Sequence, residues 1–236
     1  MRYQNVQRAV FCHRPNRFLA VCRLGDETVT AHVKNTGRCR ELLLPGAAVW
    51  LEPAATAGRK TAWSLIGVEK RLQNGEMLIN LDSQAPNQVV WEAVQQQRMD
   101  LSFLKGQKLV SVRREVVFED SRYDLGGETP EGPFLVEVKG VTLERDGAVL
   151  FPDAPTKRGL KHLDGLCRAV KAGYRCGVVF VVQMEQASFF SPNDETHPAF
   201  GQALRRAQQQ GVEIAAYCCR VRPDTLEIAG QLPVRL

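Results

Sequence analysis

The pattern of the chain changes near residue 85, and this change constrains the fold more than any other feature. Before it, short apolar runs alternate with Gly, Pro and Asn. Such runs predict five short strands, at 17–24, 27–33, 47–52, 61–68 and 77–81. Five strands at this spacing are typical of a small closed barrel, with an OB-like fold as the leading candidate. We therefore expect residues 1–85 to form one domain and residues 86–236 a second.

The second part predicts an α/β domain with the element order αβββαβαβ, so that the chain as a whole is α+β. The first helix, at 87–98, should bury Val90, Ala93, Val94 and Gln97 on one face. Thr156 is the expected N-cap of the second helix. The apolar run 174–183 is typical of a buried central strand. The remaining helices are expected at 156–172 and 198–210, the other strands at 110–118, 121–125, 134–139 and 212–221, and a hairpin loop at 126–133.

The positive charge is concentrated in the first part of the chain. Residues 1–85 hold 12 Lys and Arg against 7 Asp and Glu, which accounts for the whole net charge of +5. A small basic module beside a neutral one favours attraction to a phosphate backbone. Ordinary surface charge explains the same number equally well.

Cysteine usage and hydropathy indicate a soluble cytoplasmic protein. The seven cysteines are odd in number and form no C-x-x-C motif, which argues against a disulfide framework and for free thiols. The longest apolar run, at 177–182, is far shorter than the roughly 20 residues of a membrane span. The basic start of the chain lacks the apolar core of a secretory signal.

Two acidic residues and a lysine form the strongest candidate site. Glu137 and Lys139 lie two residues apart on one strand and so on the same face, and a hairpin around 126–133 would bring Asp124 beside Glu137. Two carboxylates with a backbone carbonyl are ligands that Mg²⁺ prefers, with Mn²⁺ as a substitute. A neighbouring lysine can orient the attacking water or stabilise charge on a phosphate.

A D…E-x-K pattern also arises by chance as solvated charges on an edge strand. Here the charges interrupt an apolar strand, where each needs a partner or a metal. The preceding helix offers Glu92 and the first strand Glu115 as further carboxylates. This layout resembles the PD-(D/E)XK restriction-endonuclease-like nuclease superfamily.

Further segments make the resemblance specific. The chain is similar to the sugar fermentation stimulation protein A family over nearly its whole length, at residues 35–38, 41–43, 45–46, 121–124, 137–140, 140–143, 151–163 and 211–214. The resemblance implies an OB-like N-terminal domain, a PD-(D/E)XK-like C-terminal domain, non-specific DNA binding and a role in regulating sugar (maltose) metabolism. It also implies a nuclease-type triad of Asp124, Glu137 and Lys139, with Glu92 as a fourth member. One departure is His197, where the family often has Asp before a proline.

Two basic clusters are candidates for DNA contact. Arg158, Lys161 and His162 fall on one helix face, which predicts a phosphate-facing stripe, with an ordinary solvated surface as the alternative. The loop after the third barrel strand carries the second cluster, Lys34, Asn35, Arg38 and Arg40. Asp153 is either a turn residue or an acid of the site.

Three functional hypotheses remain open on the sequence. The first is a non-specific DNA-binding protein with phosphate contacts, the second a Mg²⁺- or Mn²⁺-dependent nuclease at the Asp124 site. The third is a transcription regulator that acts through partner proteins and carries the nuclease fold as a relic. The sequence leaves the oligomeric state undetermined.

Overall fold

The fold is given by a computed structural model of the chain. It describes residues 1–236 except 36, 55–58, 73–74, 97, 100, 102–103 and 105–107. Among the described residues, no helix has the length and apolar character needed to cross a membrane.

The first domain is a small closed barrel, which confirms the OB-like prediction. Its strands are β1 (Gln7–Asn16), β2 (Leu19–Leu24), β3 (Glu27–Val33), β4 (Ala48–Pro53), β5 (Trp63–Leu72) and β6 (Gly75–Asn80). They follow the order β3-β2-β1-β4-β5-β6, and a parallel pairing of β3 with β5 closes the barrel. Its interior is filled by alternate side chains such as Ala20, Cys22, Val49, Leu51 and Leu65, all fully buried.

The sequence prediction missed β1. This strand reads QRAVFCHRPN, and only Ala9 and Phe11 in it are buried. Its charged residues and its proline hide the alternation that identifies a half-buried strand. The five predicted strands therefore correspond to β2 to β6. The last of them, β6, pairs with the part of β5 that lies beyond the closure of the barrel.

The second domain is the predicted mixture of helices and strands around one six-stranded sheet. The elements are α1 (Ala85–Gln95), β7 (Ser111–Phe118), β8 (Ser121–Thr129), β9 (Gly132–Val141), β10 (Leu143–Arg145), β11 (Ala148–Phe151), α2 (Lys157–Lys171), β12 (Arg175–Val182), β13 (Phe189–Pro192), α3 (Pro198–Gln209), β14 (Glu213–Arg222) and β15 (Thr225–Leu232). The sheet order is β15-β14-β12-β9-β8-β7, with β12 parallel to both β9 and β14. Helices α2 and α3 precede and follow β12, as parallel neighbours require a crossover.

The predicted hairpin loop at 126–133 is wrong, because β8 runs to Thr129 and β9 begins at Gly132. Gly126 and Gly127 lie within β8, where neighbouring strands approach their backbone too closely for a side chain. A Cβ on Gly127 would lie 2.0 Å from the carbonyl oxygen of Ser111 on β7, so only glycine fits there.

Helix α1 also differs from its prediction, ending at Gln95 rather than near residue 98. It buries Val90, Ala93 and Val94 as expected, whereas the predicted Gln97 lies outside the described residues. Thr156 caps α2 as predicted, since its hydroxyl accepts a hydrogen bond from the Gly159 N–H at 3.0 Å.

The two faces of the large sheet have different cover. The residues of α1 pack with Val136 and Val138 of β9 on one face. The residues of α2 and α3 pack with Leu135 of β9 on the other face, in a core that continues into the barrel. Alternate residues of β9 therefore point towards different helices.

A buried polar cluster joins the barrel to the sheet. The Gln183 side-chain amide, just after β12, donates to Asn80 Oδ1 at 2.8 Å and to the Asp82 carbonyl at 3.0 Å. Its backbone carbonyl accepts from the Asn80 N–H at 2.9 Å. Asn80 also donates to the Tyr3 hydroxyl at 2.9 Å. These bonds fix the end of the barrel against the strand next to β9.

Candidate functional site

The candidate site forms where the hairpin of β8 and β9 opens. Their ladder pairs Leu125 with Val136 and stops there, so Asp124 and Glu137 are the first residues beyond it. Tyr123 packs in the core under α2, whereas Leu125 packs in the core under α1. A regular strand would place both on one face. The strand is therefore irregular at Asp124, and this releases its side chain towards β9.

Hydrogen bonds hold both oxygens of Asp124. Its Oδ2 accepts from the backbone N–H of Val138 at 2.7 Å, and its Oδ1 accepts from the Asn87 amide of α1 at 2.6 Å. Burial raises the pKa of Asp124, and the charge of Glu137 raises it further. The Val138 N–H, Lys139 and Asn87 act in the opposite direction without cancelling the rise. The raised pKa of Asp124 therefore reflects its burial first and the nearby carboxylate of Glu137 second.

Glu137 is buried and receives both of its contacts on a single oxygen. Its Oε1 contacts the ammonium group of Lys139 and lies 2.5 Å from Nδ1 of His162. Burial alone would raise the pKa of Glu137, but the hydrogen bond from His162 and the charge of Lys139 outweigh burial and lower it. Glu137 is therefore an ionised carboxylate held in a fixed orientation.

The donor set suits a hard divalent cation. Glu137 Oε2 is buried and has no hydrogen-bond partner among the described residues. Asp124 retains further lone pairs, since an ionised carboxylate offers about four acceptor positions. Two carboxylates with waters in the other positions match the way Mg²⁺ is bound. No cluster of three or more His, Cys, Asp and Glu suited to a metal occurs in the described part of the chain, so such a site would rest on these two acids.

The two supporting carboxylates named from the sequence lie elsewhere. Glu92 pairs with the Met1 amine at 2.6 Å and accepts from Gln88 at 2.7 Å. Asn87 meets Asp124 instead, because five helical residues rotate Glu92 by about 140° from Asn87. Glu115 is exposed and faces Arg122 at 3.5 Å. Neither contact is with Asp124 or Glu137, and the supporting role of both residues stays a prediction.

The basic stripe on α2 divides into three different environments. Arg158 is exposed and its Nε donates to His162 Nε2 at 3.3 Å. Lys161 pairs with Asp120 at 3.1 Å and donates to the Asp120 carbonyl. His162 is 5% exposed, so the prediction that it contacts DNA is wrong in this structure; it faces Glu137 instead. Helical spacing placed the three on one face, but the sheet covers the part of that face that His162 occupies.

Hydrogen bonds to the backbone of residues 37 and 38 hold the described part of the loop after β3. Asn35 Oδ1 accepts from the Gly37 N–H at 2.7 Å, and the Arg38 N–H donates to Asp153 Oδ2 at 3.0 Å. Arg14, which sequence reasoning did not select, donates to the Arg38 carbonyl at 2.7 Å. Residue 36 of the predicted motif lies outside the described residues.

The cations of this loop differ in how far their charge is compensated. Lys34 pairs with buried Asp82 at 3.0 Å and with Glu52 at 3.6 Å. The guanidinium groups of Arg38 and Arg40 are exposed and have no ion-pair partner in the described part of the chain. Both line a pocket of about 630 Å³ together with Arg14 and Arg17. The exposed charge of the loop therefore belongs to Arg38 and Arg40.

Sequence reasoning missed Asn87, Arg14 and the contact of Asp153 with the loop. Asn87 and Arg14 act on partners 37 and 24 residues away. Asp153 bonds a residue 115 positions away. No spacing pattern reports contacts of this kind.

Comparisons with known proteins agree with this architecture. A family model described as "Sugar fermentation stimulation protein RE domain" matches residues 84–225, and one described as "SfsA N-terminal OB domain" matches residues 12–80. A "Sugar fermentation stimulation protein homolog" of Desulfitobacterium hafniense is 47% identical over 238 residues, covering 100% of this chain and 99% of that protein. A homolog of the same description in Ruminiclostridium cellulolyticum is 42% identical over 236 residues, with 100% of both chains covered.

A solved structure shares the whole fold. Pyrococcus furiosus SfsA, in complex with Ca²⁺, superposes with a TM-score of 0.86 at 26% sequence identity. The match covers 100% of this chain and 98% of that chain. Barrel and sheet domain therefore occur together in a protein that was observed with a divalent cation.

Proposed function

The chain belongs to the sugar fermentation stimulation protein family, and we propose that it is a non-specific DNA-binding protein whose contacts are mainly to phosphate. The observation that carries this proposal is the exposed pair Arg38 and Arg40, together with the hydrogen bonds that hold the backbone of Arg38. Guanidinium groups that have no ion-pair partner among the described residues are available to pair with phosphate oxygens. Arg158, exposed on α2, adds a third cation beside the carboxylate site.

Salt dependence of DNA affinity tests this proposal. Anisotropy titrations with labelled duplex and single-stranded DNA of arbitrary sequence should show affinity falling steeply between about 50 and 200 mM salt, because each phosphate contact releases counterions. Arg38→Ala with Arg40→Ala should lower the slope of log K against log salt by about 2 on duplex DNA. Arg71→Ala removes an exposed arginine of the same domain outside this pocket and should leave the slope unchanged. Binding that ignores salt would contradict the proposal.

We further propose that Asp124 and Glu137 bind Mg²⁺, with Mn²⁺ as a substitute. The buried and unpartnered Oε2 of Glu137 supports this proposal, as does the Ca²⁺ of the P. furiosus relative. A divalent cation bound there would polarise a phosphate oxygen or lower the pKa of a bound water. Lys139, held beside Glu137, would place a positive charge where charge develops on phosphate.

A metal-dependent nuclease is the second candidate function, favoured by the position of Lys139 on the same oxygen of Glu137 that His162 contacts. Incubating DNA and RNA with Mg²⁺ or Mn²⁺ tests it against Asp124→Ala and Lys139→Ala. Cleavage should disappear in both variants. Cleavage that survives both substitutions would identify a contaminant and reject this candidate.

Three further assignments rest on the family and the sequence pattern. We propose a role in regulating sugar (maltose) metabolism, a cytoplasmic location, and a domain boundary near residue 85. Transcript levels of maltose-utilisation genes in cells with and without the protein test the first. The supporting observation for the boundary is that α1 begins at Ala85, directly after the barrel.

A further inference from the structure

The two oxygens of Glu137 have different surroundings. Oε1 contacts Lys139 and His162, whereas Oε2 is buried without a hydrogen-bond partner among the described residues. Rotating the carboxylate would exchange the two oxygens, and a fixed partner on Oε1 opposes this rotation. The flexible stem of Lys139 constrains that rotation weakly, since an ammonium group donates in many directions. The imidazole of His162, which is 5% exposed, is the rigid partner.

Arg158 decides which nitrogen of His162 faces Glu137 as a donor. A guanidinium group has only N–H donors, so His162 Nε2 must accept the hydrogen bond from Arg158 Nε at 3.3 Å. The ring proton therefore lies on Nδ1, which is 2.5 Å from Glu137 Oε1. Arg158 and His162 are four residues apart on α2, so the helix itself sets this geometry.

The backbone beneath His162 is also held. The Tyr123 hydroxyl donates to the carbonyl of His162 at 3.3 Å, and the two rings lie 5.6 Å apart. This approach depends on Gly165, because a Cβ at that position would lie 2.1 Å from the Tyr123 hydroxyl. Tyr123 is the residue before Asp124, so one strand both carries an acid of the site and supports the turn of α2 that carries the histidine.

We propose that His162 is a positioning residue of the metal site: it occupies Oε1 of Glu137 and so leaves Oε2 as the oxygen that meets a divalent cation, while Arg158 sets its tautomer. The proposal rests on the proposed metal site and is independent of DNA binding. His162 is not itself a metal ligand, because Nδ1 carries the proton and Nε2 faces a guanidinium cation. Hydrogen-bond partners of metal ligands typically change metal affinity by about 10- to 100-fold when they are removed.

Titration of the chelator-treated protein with Mn²⁺ by calorimetry, without DNA, tests this role. His162→Leu removes the donor and should weaken Mn²⁺ binding about 10- to 100-fold. His162→Asn places an amide donor where Nδ1–H lies and should stay within a few-fold of the wild type. His32→Leu removes a partly buried histidine of the barrel and should change nothing. Near-UV circular dichroism of each metal-free variant verifies that it folds.

The outcomes separate the two claims. Mn²⁺ binding by the wild type together with equal weakening in His162→Asn and His162→Leu overturns the positioning role alone. Absence of wild-type binding overturns the metal site and this proposal with it. If His162→Leu does not fold, His162→Gln replaces it, since its amide reaches the Nε2 position and should not restore affinity. Anomalous density for Mn²⁺ in a crystal should touch Oε2, and density on Oε1 or on the His162 ring rejects the proposal.

Discussion

The carboxylate site of the sheet domain and the basic loop of the barrel are built in opposite ways. In the site, side chains hold one another: Asn87 and the Val138 N–H bind Asp124, while His162 and Lys139 bind Glu137. In the loop, the contacts of Arg38 are made by its backbone, and its guanidinium group extends from a fixed base without an ion-pair partner in the described part of the chain.

The difference matches what the two proposed ligands require. A small cation needs oxygens at fixed distances, so the side chains that carry these oxygens must already be ordered when the protein folds. A phosphate backbone of arbitrary sequence needs charge on a stem that adapts to it. Lys34 belongs to neither class, since its charge is compensated by buried Asp82.

The largest expected effect is on metal binding at the carboxylate site of the sheet domain. Glu137→Gln replaces one carboxylate oxygen by an amide nitrogen and removes the negative charge. It should weaken Mn²⁺ binding by more than the roughly 100-fold that loss of a hydrogen-bond partner of a metal ligand can cause. Arg38→Ala should bind Mn²⁺ as the wild type does. Calorimetric titration of both variants measures the difference. Equal losses in the two would show that the regions are not separate in function.

Lys34 and Arg40 should have different roles, Lys34 in stability and Arg40 in DNA binding. Lys34→Met should reduce the free energy of unfolding by about 1–3 kcal/mol, because it leaves Asp82, which is 1% exposed, without its cation. Urea unfolding measures this loss. Arg40→Met, at an exposed position of the same loop, should leave stability unchanged and lower the salt slope of DNA binding. The opposite pattern would make Lys34 the DNA contact.

The pH dependence of stability should differ in sign for the two acids of the metal-free protein. The pKa of Glu137 is lowered, so its stabilisation is present above the unfolded value of about 4.3 and lost as pH falls through the lower folded pKa. The pKa of Asp124 is raised, so its stabilisation is present below about 3.9 and lost as pH rises through the folded pKa. Unfolding of Glu137→Gln and Asp124→Asn across this range, with a chelator present, should give opposite trends relative to the wild type. Parallel trends would refute the assignment of the two shifts.

The smallest expected effect is that of the cap of α2. Thr156→Ala should cost about 1 kcal/mol of stability, because the Gly159 N–H loses its acceptor. The helix should keep His162 in place, so Mn²⁺ affinity should change little. Thr28→Ala, an exposed barrel residue, is the control for urea unfolding. A large loss of metal affinity would mean that the start of α2 is itself a part of the site.

The approach of Asp124 to Glu137 could be predicted because it depends on local pairing alone. Strand alternation predicted that Glu137 and Lys139 share one face of their strand. The hairpin between the two strands predicted that Asp124 lies beside Glu137. The predicted loop was too long, but the turn that joins Thr129 to Gly132 lies within it. The antiparallel pairing of the two strands was therefore predicted correctly. The sequence could not show that Gly126 and Gly127 serve packing, since glycine suits both a turn and a close approach.

The environment of each site residue depended on contacts between distant segments. The sequence offered Glu92 as an acid on the preceding helix, but the residue of α1 that contacts Asp124 is Asn87. His162 and Arg158 share a face by spacing, although the sheet buries one and leaves the other exposed. Lys34 and Arg38 look alike in a basic run, and only Asp82, 48 residues after Lys34, separates their roles.

The bonds of Gln183 to the barrel also have a consequence for unfolding. Its amide donates directly to Asn80 and to the Asp82 carbonyl at the end of the strand beside β9. Loss of either domain would leave the buried groups of the other without partners, at a cost comparable to a sizeable share of total stability. The chain should therefore melt in one calorimetric transition, and neither half should persist as a protease-resistant fragment after the joint is cut.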